Sequence, residues 1–206
     1  ASSVSLLEMV RAYGVFANGG RLAQPLFITK VTDRYGKVLE QNNPASEQVL
    51  SPEASYVLTD MLKNAVQSGT GRAASKLGGA IAGKTGTTSD FRDGWFIGYS
   101  PDLVAGVWVG FDDYRPLGEK ETGARTALPI WLAFMTEAIR GNEAKGFPVP
   151  DGIEFADAGP GCETEVFLAG TAPERHCAPY WLSLRPVRHG VRSLVEGLRR
   201  LLGGGQ

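Results

Sequence analysis

The chain has 206 residues, 43% of them hydrophobic, with 21 Lys and Arg against 22 Asp and Glu for a formal net charge of -1. That supplies enough apolar material for one domain with its own core, or one domain and an appendage. The even charge leaves no electrostatic footprint for nucleic acid or an anionic membrane, and no apolar run of about 18 residues is present to span a bilayer.

The chain opens Ala1-Ser2-Ser3-Val4, without the charged and apolar regions of a secretory leader, and is expected to be a piece of something longer. The first segment predicts a helix. Ser5 and Glu8 form a capping box, and Val4 and Met9 take the staple positions. Leu6, Met9, Val10, Tyr13 and Phe16 follow at helical spacing, and Gly19-Gly20 ends the run. Residues 26–32 read as a strand, 33–36 as a turn and 37–40 as the return strand of a small hairpin.

The second helix has Ser51 as cap, Pro52 at its first position and Glu53 in the first turn. Ala54, Val57, Leu58, Met61, Leu62, Ala65 and Val66 make one apolar stripe, and Ser68-Gly-Thr-Gly71 closes it. A strand-rich stretch follows: residues 84–88, then 95–99 and 103–111 on either side of the Ser100-Pro-Asp102 turn, predicted to pair as consecutive antiparallel strands. A third helix is expected from Pro129 to Gly141, with Trp131, Phe134, Met135, Ala138 and Ile139 on one face. Residues 1–145 read as one domain and 146–206 as a loop-rich appendage. Its end, Val187 to Leu202, is an amphipathic basic helix or tail, read as a surface helix with a membrane-surface or partner-binding role as the alternative.

The chemistry concentrates at Lys84-Thr85-Gly86-Thr87-Thr88. On a strand, the period of two puts Thr85 and Thr87 on one face and Lys84 on the other. Gly86 leaves room for a ligand backbone to lie against the strand. Two hydroxyls then meet an anionic group such as a carboxylate, and the lysine adds positive charge. The Thr87 N–H is placed to serve as one arm of an oxyanion hole. Ser89, Asp90, Arg92 and Asp93 read as solvated turn residues, with a cleft rim touching substrate as the alternative; Asp112-Asp113 read as a strand terminus, and Trp95 and Trp108 as core, with a ligand platform as the alternative. Neither metal nor cofactor is expected: His176, His189, Cys162 and Cys177 show no metal-ligand spacing. The two cysteines are either free thiols or a disulfide closing a Pro/Gly-rich loop in an oxidising compartment.

Several ordered blocks carry a resemblance. Ala82-Gly-Lys-Thr-Gly-Thr-Thr88, Asp93-Gly-Trp-Phe96 and Gly106-Val-Trp-Val-Gly-Phe-Asp-Asp113 resemble the class A penicillin-binding proteins, the bifunctional enzymes of peptidoglycan synthesis. Leu7-Glu-Met, Ala12 to Gly20, Gly69-Thr-Gly71 and Phe167-Leu-Ala-Gly-Thr171 extend the likeness from about Ser5 to Cys177. The resemblance implies an α/β chain of the α+β type: an antiparallel sheet flanked by helices, as in serine β-lactamases and transpeptidases. It implies a D,D-transpeptidase that acts on D-Ala-D-Ala stem peptides and is trapped by β-lactams, using the motifs S-x-x-K, S-x-N and K-T-G. Lys84 matches the family's proton-transfer lysine, while Thr85, Gly86, Thr87 and Thr88 match the substrate strand.

No serine in the chain has lysine three positions on, and no Ser-x-Asn occurs. In the family both motifs precede the K-T-G strand. The chain alone is therefore expected to be inactive, with its nucleophile, glycosyltransferase domain and membrane anchor upstream, on the extracytoplasmic side of the membrane. A non-catalytic peptide- or partner-binding module is the alternative; a β-lactamase is disfavoured by the segment beyond Gly146.

Overall fold

The computed structural model describes residues 4–141, 146–158 and 163–173. Cys162, Cys177, both histidines and the basic segment from Val187 to Leu202 lie outside the described residues.

Helix α1 (Leu6–Ala17) begins as its sequence predicts: the Ser5 side chain accepts from the Glu8 N–H, and the Glu8 carboxylate accepts from the Ser5 N–H at 2.7 Å. That backbone hydrogen bond, with the one the Ser5 hydroxyl donates to the same carboxylate at 2.8 Å, holds the Glu8 carboxyl below its ordinary pKa. Two short antiparallel ladders follow. Strand β1 (Arg21–Ala23) pairs with β4 (Ser46–Gln48), and β2 (Lys30–Thr32) pairs with β3 (Val38–Gln41). The expected strand over 26–32 is thus shorter than its apolar run. Phe27 is 86% exposed, so no packed face holds that run in a regular ladder. The hairpin turn is tied by Asp33, whose side chain accepts from the Tyr35 and Lys37 N–H groups.

Helix α2 (Pro52–Gln67) is capped by Ser51, which accepts from the Ala54 N–H at 3.1 Å. After a 3-10 segment at Arg72–Leu77 come β5 (Ala82–Thr87), β6 (Asp93–Tyr99) and β7 (Val104–Gly110), an antiparallel sheet in the order β5-β6-β7. Helix α3 (Ala127–Ala138) starts before Pro129, because N–H groups of Thr126 and Ala127 already find carbonyls of Thr122 and Gly123. Pro129 then sits in the first turn, where its missing N–H is not needed.

The sheet carries a helix on each face. On one, Phe96 meets Trp131 of α3 edge to face at 4.8 Å, and the Trp131 indole donates to the Ala105 carbonyl at 3.0 Å. Val66, Ala74, Ile81, Leu128, Met135 and Ile139 complete that core. Gly98 is required there: a Cβ would lie 2.7 Å from the Trp131 ring. On the other face α1 crosses Gly106, where a Cβ would lie 2.6 Å from Val10. Tyr99 is fully buried and its hydroxyl bonds Thr59 at 3.0 Å.

Two compact units divide between Ile153 and Glu154. The first therefore includes the segment after Gly146, where Phe147 packs on Tyr99 at 5.5 Å. Strand β8 (Ile153–Ala158), which begins at that division, pairs with β9 (Glu163–Leu168), and Thr164 donates to Asp157 at 2.9 Å. Among the described residues no helix is long and apolar enough to cross a membrane.

Candidate active site

The site is built on β5, an outer strand of its sheet. One edge pairs with β6, with Lys84 opposite Ile97, Thr85 opposite Phe96 and Gly86 opposite Trp95. The Thr88 N–H continues that ladder by donating to the Asp93 carbonyl at 3.3 Å. Antiparallel alternation then turns the N–H groups of Thr85 and Thr87 to the open edge. Side chains alternate as well. Lys84 and Gly86 share a face with Ile97 and Trp95, while Thr85 and Thr87 take the α3 face.

Each threonine is held from behind. The Thr87 hydroxyl oxygen accepts from the Gly123 N–H at 3.1 Å. Gly123 is buried so close to β5 and β6 that a Cβ would collide with the carbonyl oxygens of Gly86 and Trp95. The Thr85 hydroxyl is 2.6 Å from that of Thr70, in the turn after α2. The Lys84 ammonium is exposed and donates to the Thr85 carbonyl at 2.9 Å.

Beyond β5 two loops interlock. Arg92 donates to the Tyr114 carbonyl at 3.1 Å and lies over its ring, and the Leu117 N–H donates to the Phe91 carbonyl at 2.8 Å. Among the described residues, the non-glycine positions with positive φ are Asp90, Phe91, Tyr114 and Lys120, all in these two loops. Such backbone persists only where its surroundings over-determine it, and the cross-loop bonds do so here.

An open cleft of about 790 Å³ runs along this edge. Val4, Ser5, Leu6, Met9 and Tyr13 form one side; residues 84–88 form the other, with Asp93, Trp95, Ile97, Trp108 and Tyr114 around them. Burial raises the Tyr13 hydroxyl above its ordinary pKa. The cleft thus offers outward N–H groups and a cation beside an apolar and aromatic floor, with the Thr85 and Thr87 hydroxyls at the same edge on the strand's other face. Among the described residues no cluster of His, Cys, Asp or Glu is placed to hold a metal.

Three expectations need correction. Trp108 is not core: it is 38% exposed and lines the cleft with half-buried Trp95, their rings 6.3 Å apart, because α1 leaves that part of the sheet face uncovered. Asp93 is not a solvated turn residue but buried. It opens β6, its carboxylate accepts from the Trp95 indole at 3.2 Å, and its N–H donates to the Thr88 hydroxyl at 3.0 Å. Asp112 and Asp113 lie past the end of β7, in the turn, where Asp113 pairs with Arg115. Ser89, Asp90 and Arg92 stay in the loop, with Ser89 and Asp90 exposed. Sequence reasoning missed Thr70 and Gly123 as partners of the threonines. The Gly-Thr-Gly turn was a signal for the first; Gly123 had none.

Residues 1–113 match the family described as penicillin binding protein transpeptidase domain. Penicillin-binding protein 1A of Aquifex aeolicus is 42% identical over 185 residues, which cover 85% of this chain and 26% of that protein. Penicillin-binding protein 1A of Neisseria gonorrhoeae is 38% identical over 153 residues, 71% of this chain and 19% of its own length. The chain therefore spans about a quarter or less of these curated relatives. Among solved structures, penicillin-binding protein 1A from Haemophilus influenzae superposes with a TM-score of 0.79 at 30% identity, over 86% of this chain and 34% of that one. PonA1 from Mycobacterium tuberculosis gives 0.61 at 25% identity, over 84% and 45%. The antiparallel sheet with its flanking helices is thus the transpeptidase-like fold that the motifs implied, and the chain belongs to the penicillin-binding protein transpeptidase domain family.

Proposed function

We propose that this chain is the Lys-Thr-Gly-bearing part of a peptidoglycan D,D-transpeptidase, with its nucleophilic serine on a preceding segment of the same protein. The observation that carries this reading is the outer strand β5, which lines an open cleft with Lys84, Thr85 and Thr87 while its N–H groups face outward. An extended D-Ala-D-Ala stem peptide lies along such an edge as an added strand. Thr85 and Thr87 hold its terminal carboxylate, Gly86 leaves the backbone within reach, and Thr88 ends the strand at the loop. β-Lactams occupy the same ledge.

In the reaction, the serine oxygen bonds to the penultimate D-alanine carbonyl carbon while the Thr87 N–H donates to the developing oxyanion. The C–N bond to the terminal D-alanine breaks, and that amine leaves with the serine's proton, passed through neighbouring basic groups. Lys84 supports that transfer. An amine of a second stem peptide then attacks the ester carbon, and the serine oxygen leaves and regains a proton. The protein works on the extracytoplasmic side of the membrane, anchored by a segment that precedes this one.

The test is labelling with a fluorescent penicillin, read by intact mass. The chain alone should give no adduct, and the protein that includes its preceding segment should take up one equivalent. An adduct on the chain alone would place the nucleophile within these residues. No adduct on the longer protein would favour a non-catalytic binding module.

A further inference from the structure

The reading above assigns carboxylate recognition to β5. The hydrogen bonds behind β5 point to a residue outside the strand. Thr70 stands between Gly69 and Gly71 in a tight turn: a Cβ at Gly69 would lie 2.7 Å from the Ala65 carbonyl oxygen, too close without a shift, and one at Gly71 would be crowded at 3.2 Å from the same atom. The Gly71 N–H donates to that carbonyl at 3.1 Å, so the turn folds back on the last turn of α2. Thr70 is thereby fixed beside β5, with its hydroxyl oxygen 2.6 Å from that of Thr85.

Two hydroxyls carry two protons, and their mutual bond uses one. Neither Thr70 nor Thr85 has another side-chain hydrogen bond among the described residues. One O–H is left to donate; Thr85 lines the cleft, whereas Thr70 is exposed and not among the cleft's lining residues. If Thr70 donates to Thr85, the Thr85 proton is turned to the cleft. At Thr87 the hydroxyl oxygen accepts from the Gly123 N–H, so its proton too is free to be given away. An anion at the edge then receives two O–H donors whose oxygens each already accept a hydrogen bond from the protein. A donor polarised in this way is the stronger for it.

We propose that Thr70 is a positioning residue for recognition of the substrate's terminal carboxylate: it donates to Thr85 and so commits the Thr85 hydroxyl to donate into the cleft. The inference rests on the transpeptidase reading and deepens it. Without Thr70, the Thr85 hydroxyl is free to rotate and to act as acceptor, and a carboxylate there loses a directed donor. A ligand lacking the negative charge gains less from the arrangement, so the loss is specific to the acid.

The experiment compares acylation of the serine-containing protein by benzylpenicillin and by its methyl ester, in the parent, in Thr70→Val and in Thr70→Ser. Loss of one charge-assisted hydrogen bond is expected to slow acylation by the acid about tenfold in Thr70→Val. The ester rate should change by less than about twofold. Thr70→Ser keeps the hydroxyl and should restore the parent's acid-to-ester ratio. Equal slowing of acid and ester, or an unaltered acid rate, in a parent that does acylate would overturn the role of Thr70 alone. A parent that reacts with neither compound would overturn the transpeptidase reading and this inference with it. Thermal unfolding shows whether each variant folds, and the acid-to-ester ratio reads recognition separately because it does not depend on how much protein is folded.

Discussion

Residues 21–50 and residues 81–139 both contain antiparallel strands, yet they are held by different means. Not one residue between 21 and 50 is buried, and Phe27, Ile28, Tyr35 and Leu39 are all more than half exposed. Its ladders rest on polar ties: the Arg21 guanidinium to Ser46, the Asp33 carboxylate across its turn, and the Asn42 amide to the Ile28 carbonyl. The later region encloses Phe96, Ile97, Leu128, Trp131 and Met135 at 2% exposure or less. Two-stranded ladders alone are marginal in water, whereas a sheet packed on helices is not. The stable region is also the one that carries the cleft, so the edge strand β5 has a rigid backing.

Three changes test that contrast, in falling order of effect. Trp131→Ala removes the centre of the core and should destabilise the chain by about 3–5 kcal/mol, read from urea unfolding. A loss below about 1 kcal/mol would mean the core is not where packing places it. The second concerns alkali. Burial lifts the Tyr99 hydroxyl to about 12; the Thr59 hydrogen bond offsets a little of that, and nearby Tyr13 adds to it. The folded state thus keeps a proton that the unfolded chain releases near pH 10. The stabilisation is complete below pH 10 and is lost as pH climbs through about 12, amounting to roughly 2–3 kcal/mol. Tyr99→Phe should flatten this part of the stability-pH profile, and an unaltered slope would assign it to other groups. The smallest effect belongs to the outer region. Phe27→Ser should shift stability by no more than about 0.5 kcal/mol. A larger fall, with a change in sedimentation, would reveal that this apolar face is covered in solution.

The same contrast explains what was legible in the sequence. Helices α1 and α2 announce themselves through local chemistry: Ser5 with Glu8, and Ser51 with Pro52. Strands β5 to β7 show as runs separated by turn residues. Strands β1 and β4 do not, because three-residue segments such as Arg21–Ala23 have no alternation to read and are joined by side chains far apart in sequence. In the cleft, Lys84 to Thr88 stand out because they are consecutive. Thr70, Asp93 and Gly123 reach the site only through tertiary contacts. Trp108 misled because an apolar ring on a central run reads as core, whereas its exposure depends on where α1 stops covering the sheet.

The open edge of β5 has a second consequence. A row of outward N–H groups receives any extended chain, including β5 of another copy. If β5 receives an anionic peptide, the same strand makes a poor partner for a second β5: each copy would bring its own exposed Lys84 ammonium to the pair, and Gly86 offers no side chain for neighbours to grip. Two such edges, each carrying a cation, would be disfavoured where an edge and a carboxylate-terminated peptide would be favoured. Selectivity against self-assembly and selectivity for such a ligand would then be one property of this strand, and replacing Lys84 by a neutral apolar residue should weaken both together.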